Sequence, residues 1–279
     1  SLEVQRLDLE VQTMTGRVQK HLERAIAAHS LSRNVPGYKS GKIHGPSLHR
    51  VATGSDKLFS RKFVSKTRDT AVQLVVDLSG SMNGQKVKLA METGYALSSV
   101  LDRMGISNEV IGFTTCPYRD NAAFHKMAAE CREFEEATGK DVSRLEPLYI
   151  PILKPFSERL TIERKKAIVG VINQIQLYNN IDGESIQVCA KRLASQTQAR
   201  KIMIVMSDGS PQGGYGEFAH VQKHLMEVVK SLPAMGIEPF GIGIMDTAVK
   251  KFYPKHEVIT TLEELPSKVI TTMERLLFN

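Results

Sequence analysis

Apolar positions along this chain fall into two patterns, short near-continuous runs and longer stretches spaced by three or four residues. The near-continuous runs are Val72–Val76, residues 108–114, Ile202–Met206 and residues 238–244, broken only by isolated polar residues such as Gln73 and Glu238. Branched apolar residues without a polar alternation are what a parallel strand covered on both faces looks like. Between the first two runs, Val87, Leu89, Ala90, Tyr95, Leu97 and Leu101 keep a 3.6-residue period, which predicts a helix over 85–103. The same spacing predicts helices over 162–175, 182–195, 217–232 and 262–277, with a weak strand near Val258 and Ile259. Strands alternating with helices imply an α/β fold, Rossmann-like and doubly wound on a mostly parallel central sheet.

Two stretches depart from that alternation. At the start, Val4, Leu7, Val11, Met14, Val18 and Leu22 form a narrow apolar seam over residues 1–30, an N-terminal helical extension. Such a seam either docks on its own domain or receives a neighbouring subunit. Asn34-Val-Pro-Gly37 reads as the end of this helix, and Tyr38–Lys66 as an irregular basic connector with short extended pieces. The expected division is therefore 1–66, helix and connector, and 67–279, the α/β domain. The second departure is an insertion at about 116–160, with a charged helical stretch around Phe124 to Phe134 and an extended piece at 148–153. Pro151 marks that piece as a sheet edge.

Composition narrows the class. The chain has 279 residues, 42% hydrophobic and 24% charged, ordinary globular values. No apolar run approaches the roughly 18 residues of a membrane helix and no signal peptide is visible, so neither a membrane nor secretion is expected. Cys116, Cys131 and Cys189 are odd in number and widely spaced, which argues against disulfides and structural zinc and fits a cytoplasmic location. The first residue is Ser, so an excised part of a longer protein is expected. A net charge of +7 invites a nucleic-acid reading, but the basic residues read as dispersed among acids and no recognition motif appears. A solvated surface, or one meeting an acidic segment, is expected instead.

Candidate chemistry lies where the strands end. Asp77, Ser79 and Ser81 follow the first central strand at i, i+2 and i+4, and Asp208 ends a second. Open α/β sheets bind ligands beyond the carboxyl ends of their strands. A third loop, Asn179–Glu184, offers Asp182 at the head of a helix. Carboxylates and hydroxyls are hard oxygens suited to Mg²⁺, Mn²⁺ or Ca²⁺. The bland alternative is that Asp77 or Ser79 caps the following helix.

Other chemistries fit poorly. Gly80–Gly84 precedes Gln85-Lys86, which breaks the phosphate-loop pattern, so no bound nucleotide is expected. A haloacid-dehalogenase phosphatase needs a second acid where Ser79 stands. Neither serine lies in a nucleophile elbow. His220 and His224 sit at i, i+4 but lack the intervening Glu of a zinc motif, and read as a solvated helix flank.

D-L-S-G-S after one strand and S-D-G after another resemble the metal-ion-dependent adhesion site of von Willebrand factor A (VWA) domains. The loop N-N-I-D-G-E-S-I, the strand K-I-M-I-V-M-S-D-G-S-P and the segment G-I-G-I-M-D-T-A-V-K-K-F-Y are similar to the C-terminal domain of cobaltochelatase subunit CobT, over roughly residues 40–279. The resemblance implies Asp77, Ser79, Ser81 and Asp208 at a metal site, with Asp182 where the broader family has Thr. It further implies a non-catalytic subunit in cobalamin biosynthesis, whose partners are a hexameric AAA+ ATPase and a large chelatase subunit. An adaptor of a MoxR-type AAA+ ATPase is the alternative, and a metal-dependent hydrolase a third reading.

Overall fold

The computed structural model describes residues 2–29, 33–63, 69–116, 122–140, 146–174, 177–212 and 218–278. The main sheet holds β4 (Thr70–Asp77), β5 (Ser107–Thr115), β6 (Leu148–Tyr149), β7 (Ile152–Lys154), β8 (Arg200–Ser207), β9 (Ile237–Ile244) and β10 (His256–Ile259). Strands β10, β9, β8, β4 and β5 lie side by side in that order, all parallel. The short β6 and β7 flank Pro151 and pair antiparallel to β5, so the proline sits at the sheet edge. Every residue of β4 is buried, Gln73 included, as its near-continuous apolar run requires.

Helices cover both faces, which makes the fold a doubly wound α/β architecture. On one face Val72, Leu74, Val76, Ile202, Ile204 and Met206 pack with α1 (Leu2–His29), α2 (Gln85–Arg103), α4 (Ile162–Gln174) and α8 (Leu265–Phe278). On the other, Ala71, Val75, Met203 and Val205 meet α5 (Asp182–Ala194), α6 (Phe218–Ser231) and the one-turn α7 (Val249–Phe252). Right-handed crossovers running in opposite directions from β4 force this split. The chain leaves β4 toward β5 over one face and reaches β9 from β8 over the other, so the switch point lies between β4 and β8.

The N-terminal helix docks on its own domain. Val4, Leu7, Val11, Leu22 and Ile26 enter the same core as α2 and α8. Each such side chain contributes about 1.5–3 kcal/mol of burial. Polar ties fix the register: Glu23 Oε1 accepts from Arg103 at 2.8 Å, Lys165 Nζ lies 3.0 Å from Asp8, and the Tyr95 hydroxyl donates to Asp8.

The connector departs from expectation. Arg33–Tyr38 is strand β1, Lys42–Ile43 is β2 and Phe59–Phe63 is β3, joined in an antiparallel sheet of order β1-β3-β2. Asn34-Val-Pro-Gly37 therefore lies in a strand and is not a helix stop. Pro36 is tolerated because β1 is an edge strand whose register shifts between Pro36 and Tyr38. The charged insertion forms α3 (Ala122–Thr138), which buries no side chain.

Candidate functional site

Strand β4 delivers Asp77 fully buried at its last position. Oδ1 accepts the Ser79 backbone N–H at 2.8 Å and Oδ2 accepts the Ser207 hydroxyl at 2.7 Å, which locks the carboxylate between the two central strands. Ser79 Oγ lies 3.0 Å from Ser81 Oγ, and Ser81 Oγ donates to Asp208 Oδ1 at 2.6 Å. Lys86, on the first turn of α2, donates to Asp208 Oδ2 at 2.5 Å. Two strand ends and one helix start thus assemble a continuous row of oxygens that ends on an ammonium.

Asp182 opens α5 and is buried. Its Oδ1 has no hydrogen-bond partner among the described residues. Burial holds its carboxyl well above the usual range, with Asp77 as the next cause and Asp208 adding to it. Burial likewise pushes Asp77 up to about 6, against the bonds from Ser207 and Ser79. Tyr253 Oη and Ser185 Oγ are also buried without a partner among the described residues. The charges of Asp182 and Asp77 add to burial in raising the Tyr253 phenol.

The loop before α5 joins the three segments. Gly80 N–H donates to Tyr178 O at 2.7 Å, Tyr178 N–H to Thr114 Oγ1 at 3.1 Å, and Asn179 N–H to Thr115 Oγ1 at 3.2 Å. Asn180 and Gln212 exchange both backbone bonds, at 3.1 and 3.0 Å. The serine loop and the segment after Asp208 are therefore fixed to this loop through backbone groups, and the end of β5 through two threonine hydroxyls.

The structure gathers Asp77, Ser79, Ser81 and Asp208 in one row, and Asp182 is near enough to feel the charges of Asp77 and Asp208. Among the described residues no three His, Cys, Asp or Glu side chains close around one point, so a cation here would depend on the serine hydroxyls as well. Sequence reasoning passed over Ser207 and Lys86. Ser207 had a signal, since it shares the strand end with Asp208. Lys86 had none, because its role depends on a contact 122 residues away. His224 is half-buried and not a solvated flank: a Cβ on Gly183 would lie 2.4 Å from its Nδ1, so only glycine lets the ring approach the start of α5. The glycine-rich turn Gly213–Gly216, which follows Asp208 in the sequence, lies outside the described residues.

No helix among the described residues is long and apolar enough to cross a membrane. The family of the cobalamin biosynthesis protein CobT VWA domain matches residues 58–279. The uncharacterized protein YojO of Bacillus subtilis (strain 168) is 21% identical over 249 residues, 85% of this chain and 35% of that protein. The chain thus spans about a third of the length of that curated relative. Among solved structures, the vWF domain of the type V pili tip protein Mfa5 from Porphyromonas gingivalis matches with TM-score 0.49 and 10% identity, over 75% of this chain and 94% of that one. The SpRpn10 VWA domain matches with TM-score 0.45 and 12% identity, over 73% and 94%.

Proposed function

Because the chain belongs to the family of the CobT VWA domain, we propose that it is a metal-dependent docking subunit working with an AAA+ ATPase in a cobaltochelatase-like complex. The observation that carries the reading is the row Asp77, Ser79, Ser81 and Asp208 at the switch point, together with the buried, unbonded Oδ1 of Asp182, a carboxyl that feels the charges of Asp77 and Asp208. A buried carboxylate oxygen without a donor costs free energy unless a cation or its water supplies the missing contact. The all-oxygen donor set suits a hard divalent ion, Mg²⁺ before Mn²⁺ or Ca²⁺. The residues fit such an ion, with Ser79 and Ser81 as direct ligands and the three carboxylates supplying charge.

When bound, the ion supplies a Lewis-acidic position that a partner's carboxylate completes. The chain's own groups do the rest. Ser207 and the Ser79 N–H aim the Asp77 carboxylate, the bonds from Tyr178 to Asn180 hold the loop, and Lys86 occupies Asp208. No described His, Cys or Lys is placed beside the serines as a base for a hydrolytic step except Lys86, whose ammonium is bound to Asp208. That supports docking over hydrolysis.

The test is co-purification with an AAA+ ring from cell extract, with and without EDTA, for the parent and for Ser79→Ala/Ser81→Ala. We expect capture of the ATPase by the parent in Mg²⁺, and its loss in EDTA and in the double variant. Equal capture by all would reject the metal-dependent contact. Reconstituted cobalt insertion into a corrin then separates a chelatase from an adaptor that serves a protein-remodelling ATPase.

A further inference from the structure

The charge of this chain is not dispersed. Residues 33–63 hold seven Lys or Arg and a single acid, Asp56, so a net of +6 falls within them, out of a chain total of +7. This stretch is the small sheet β1-β3-β2 with the 3₁₀ turns at Gly45–Thr53, and none of its described side chains enters either apolar core. Lys39, Lys42, Arg50, Lys57 and Arg61 are all exposed. Only Lys39 among them pairs with a carboxylate among the described residues, Asp56 at 2.6 Å. A cluster of like charges on a thin sheet repels itself, and a bound polyanion relieves that repulsion.

Exposed aliphatic side chains lie among these cations: Val35 (39%), Ile43 (61%), Leu48 (49%) and Val51 (54%). Nucleic-acid surfaces pair cations with aromatic faces on which bases stack. Here the ring of Tyr38 is half-buried and already carries Arg61, 5.1 Å from its centroid. Cations interleaved with exposed aliphatics suit a polypeptide carrying both acids and apolar residues. β2 also ends the sheet on one side, an edge that a peptide strand can extend and a nucleic acid cannot. We propose that the β1-β3-β2 sheet is a docking surface for an acidic, apolar-interrupted polypeptide segment, separate from the site at Asp77 and independent of metal.

The experiment uses fluorescence anisotropy with this chain and three probes of equal charge: a Glu-rich peptide interrupted by Leu, the same peptide with Ser for Leu, and single-stranded DNA. Lys42→Glu/Arg50→Glu/Lys57→Glu is compared with Lys20→Glu/Lys230→Glu/Lys250→Glu, an equal charge change elsewhere on the surface. Circular dichroism confirms that both variants fold. We expect the Leu-containing peptide to bind tightest in EDTA, to weaken as salt rises, and to lose at least tenfold with the first variant but under threefold with the second. Equal losses in the two variants, no gain from Leu, tighter binding of DNA, or no peptide binding would each overturn the proposal. Because the assay runs in EDTA, its failure leaves the metal-dependent reading untouched.

Discussion

Lys86 Nζ lies 2.5 Å from Asp208 Oδ2 while Ser81 Oγ holds the other oxygen of the same carboxylate at 2.6 Å. A cation from the protein thus already neutralises the acid that a metal would use. Two unit charges a few ångströms apart near a protein surface interact by about 3 kcal/mol. The Lys86 side chain is 29% exposed, and screening reduces the effect on a nearby ion to about 1 kcal/mol. Lys86→Met keeps the stem and removes the competitor, so Mg²⁺ affinity measured by isothermal titration should rise roughly fivefold. Unchanged or weaker affinity would show that Lys86 supports Asp208 and does not compete for it.

A second prediction ties β5 to the serine loop. A Cβ on Gly112 would fall 2.3 Å from Leu78 Cδ1 and 3.5 Å from Pro151 Cγ. Leu78 follows Asp77, and its N–H bonds Phe113 O at 2.9 Å. Gly112→Ala must therefore push the loop that carries Ser79 and Ser81. We expect a loss of about 2 kcal/mol, roughly 5 °C in melting temperature, together with weaker Mg²⁺ binding. Gly170→Ala, in α4 with nothing within 4 Å of the added carbon, should instead stabilise by about 0.5–1 kcal/mol. Similar melting shifts in both would mean that Leu78 moves aside freely.

These residues also separate what the sequence discloses from what it hides. Strands β4 and β8 are legible because burial on both faces leaves no polar alternation, and Asp77 and Asp208 because each follows such an apolar run at its end. Gln73 and Glu109 lie inside buried strands and gave no such signal. Gln73 Nε2 bonds Glu109 Oε2 at 2.8 Å, and Arg192 reaches Glu109 from α5 at 2.5 Å, so their pairing exists only in three dimensions. Strand β1 was hidden by its own Pro36 and Gly37, which punctuate most chains and here sit at a sheet edge. The basic character of the connector was legible, but not its gathering on one small sheet, because that depends on the pairing of β1, β3 and β2.

The third prediction concerns Lys154, which carries its ammonium into the core from the edge strand β7. It donates to Asn108 O at 2.6 Å and lies 3.0 Å from Asp102 Oδ1. Burial lowers its pKa although Asp102 opposes the shift. Lys154→Met leaves Asp102 short of a cation, and breaking such a buried pair costs about 3 kcal/mol. Asp102 retains donors from Asn108 Nδ2 at 2.7 Å and Leu160 N at 2.6 Å, so Lys154→Met/Asp102→Asn should recover part of that loss. A denaturation double-mutant cycle measures the coupling. Strictly additive losses would show that the pair contributes nothing as a pair.

The fourth prediction is a pH dependence at the contact between α1 and α2. Glu92 is buried on α2, with Lys88 Nζ 3.6 Å from its Oε1 and 3.1 Å from Glu10 Oε2 on α1. Glu3 and Arg6 of α1 line the same cavity. Burial pushes Glu92 up to about 7 against the attraction of Lys88, and Glu10 adds to the rise. Glu10 itself is lowered, chiefly by its bond to Lys88, so its own pH dependence falls below the ordinary 4.5 and outside the range tested. An acid raised in the folded state stays protonated there while the unfolded chain has already lost its proton. Its contribution to stability is complete below about 4.5 and disappears as pH rises through 7. Melting temperature should therefore decline between pH 5 and pH 8 in the parent. Glu92→Gln keeps the uncharged form throughout, so its advantage over the parent should be small at pH 5 and reach about 1 kcal/mol, roughly 2 °C, at pH 8. Melting curves that stay parallel across that range would mean that Glu92 remains ionised in the folded chain, held by Lys88 against its burial.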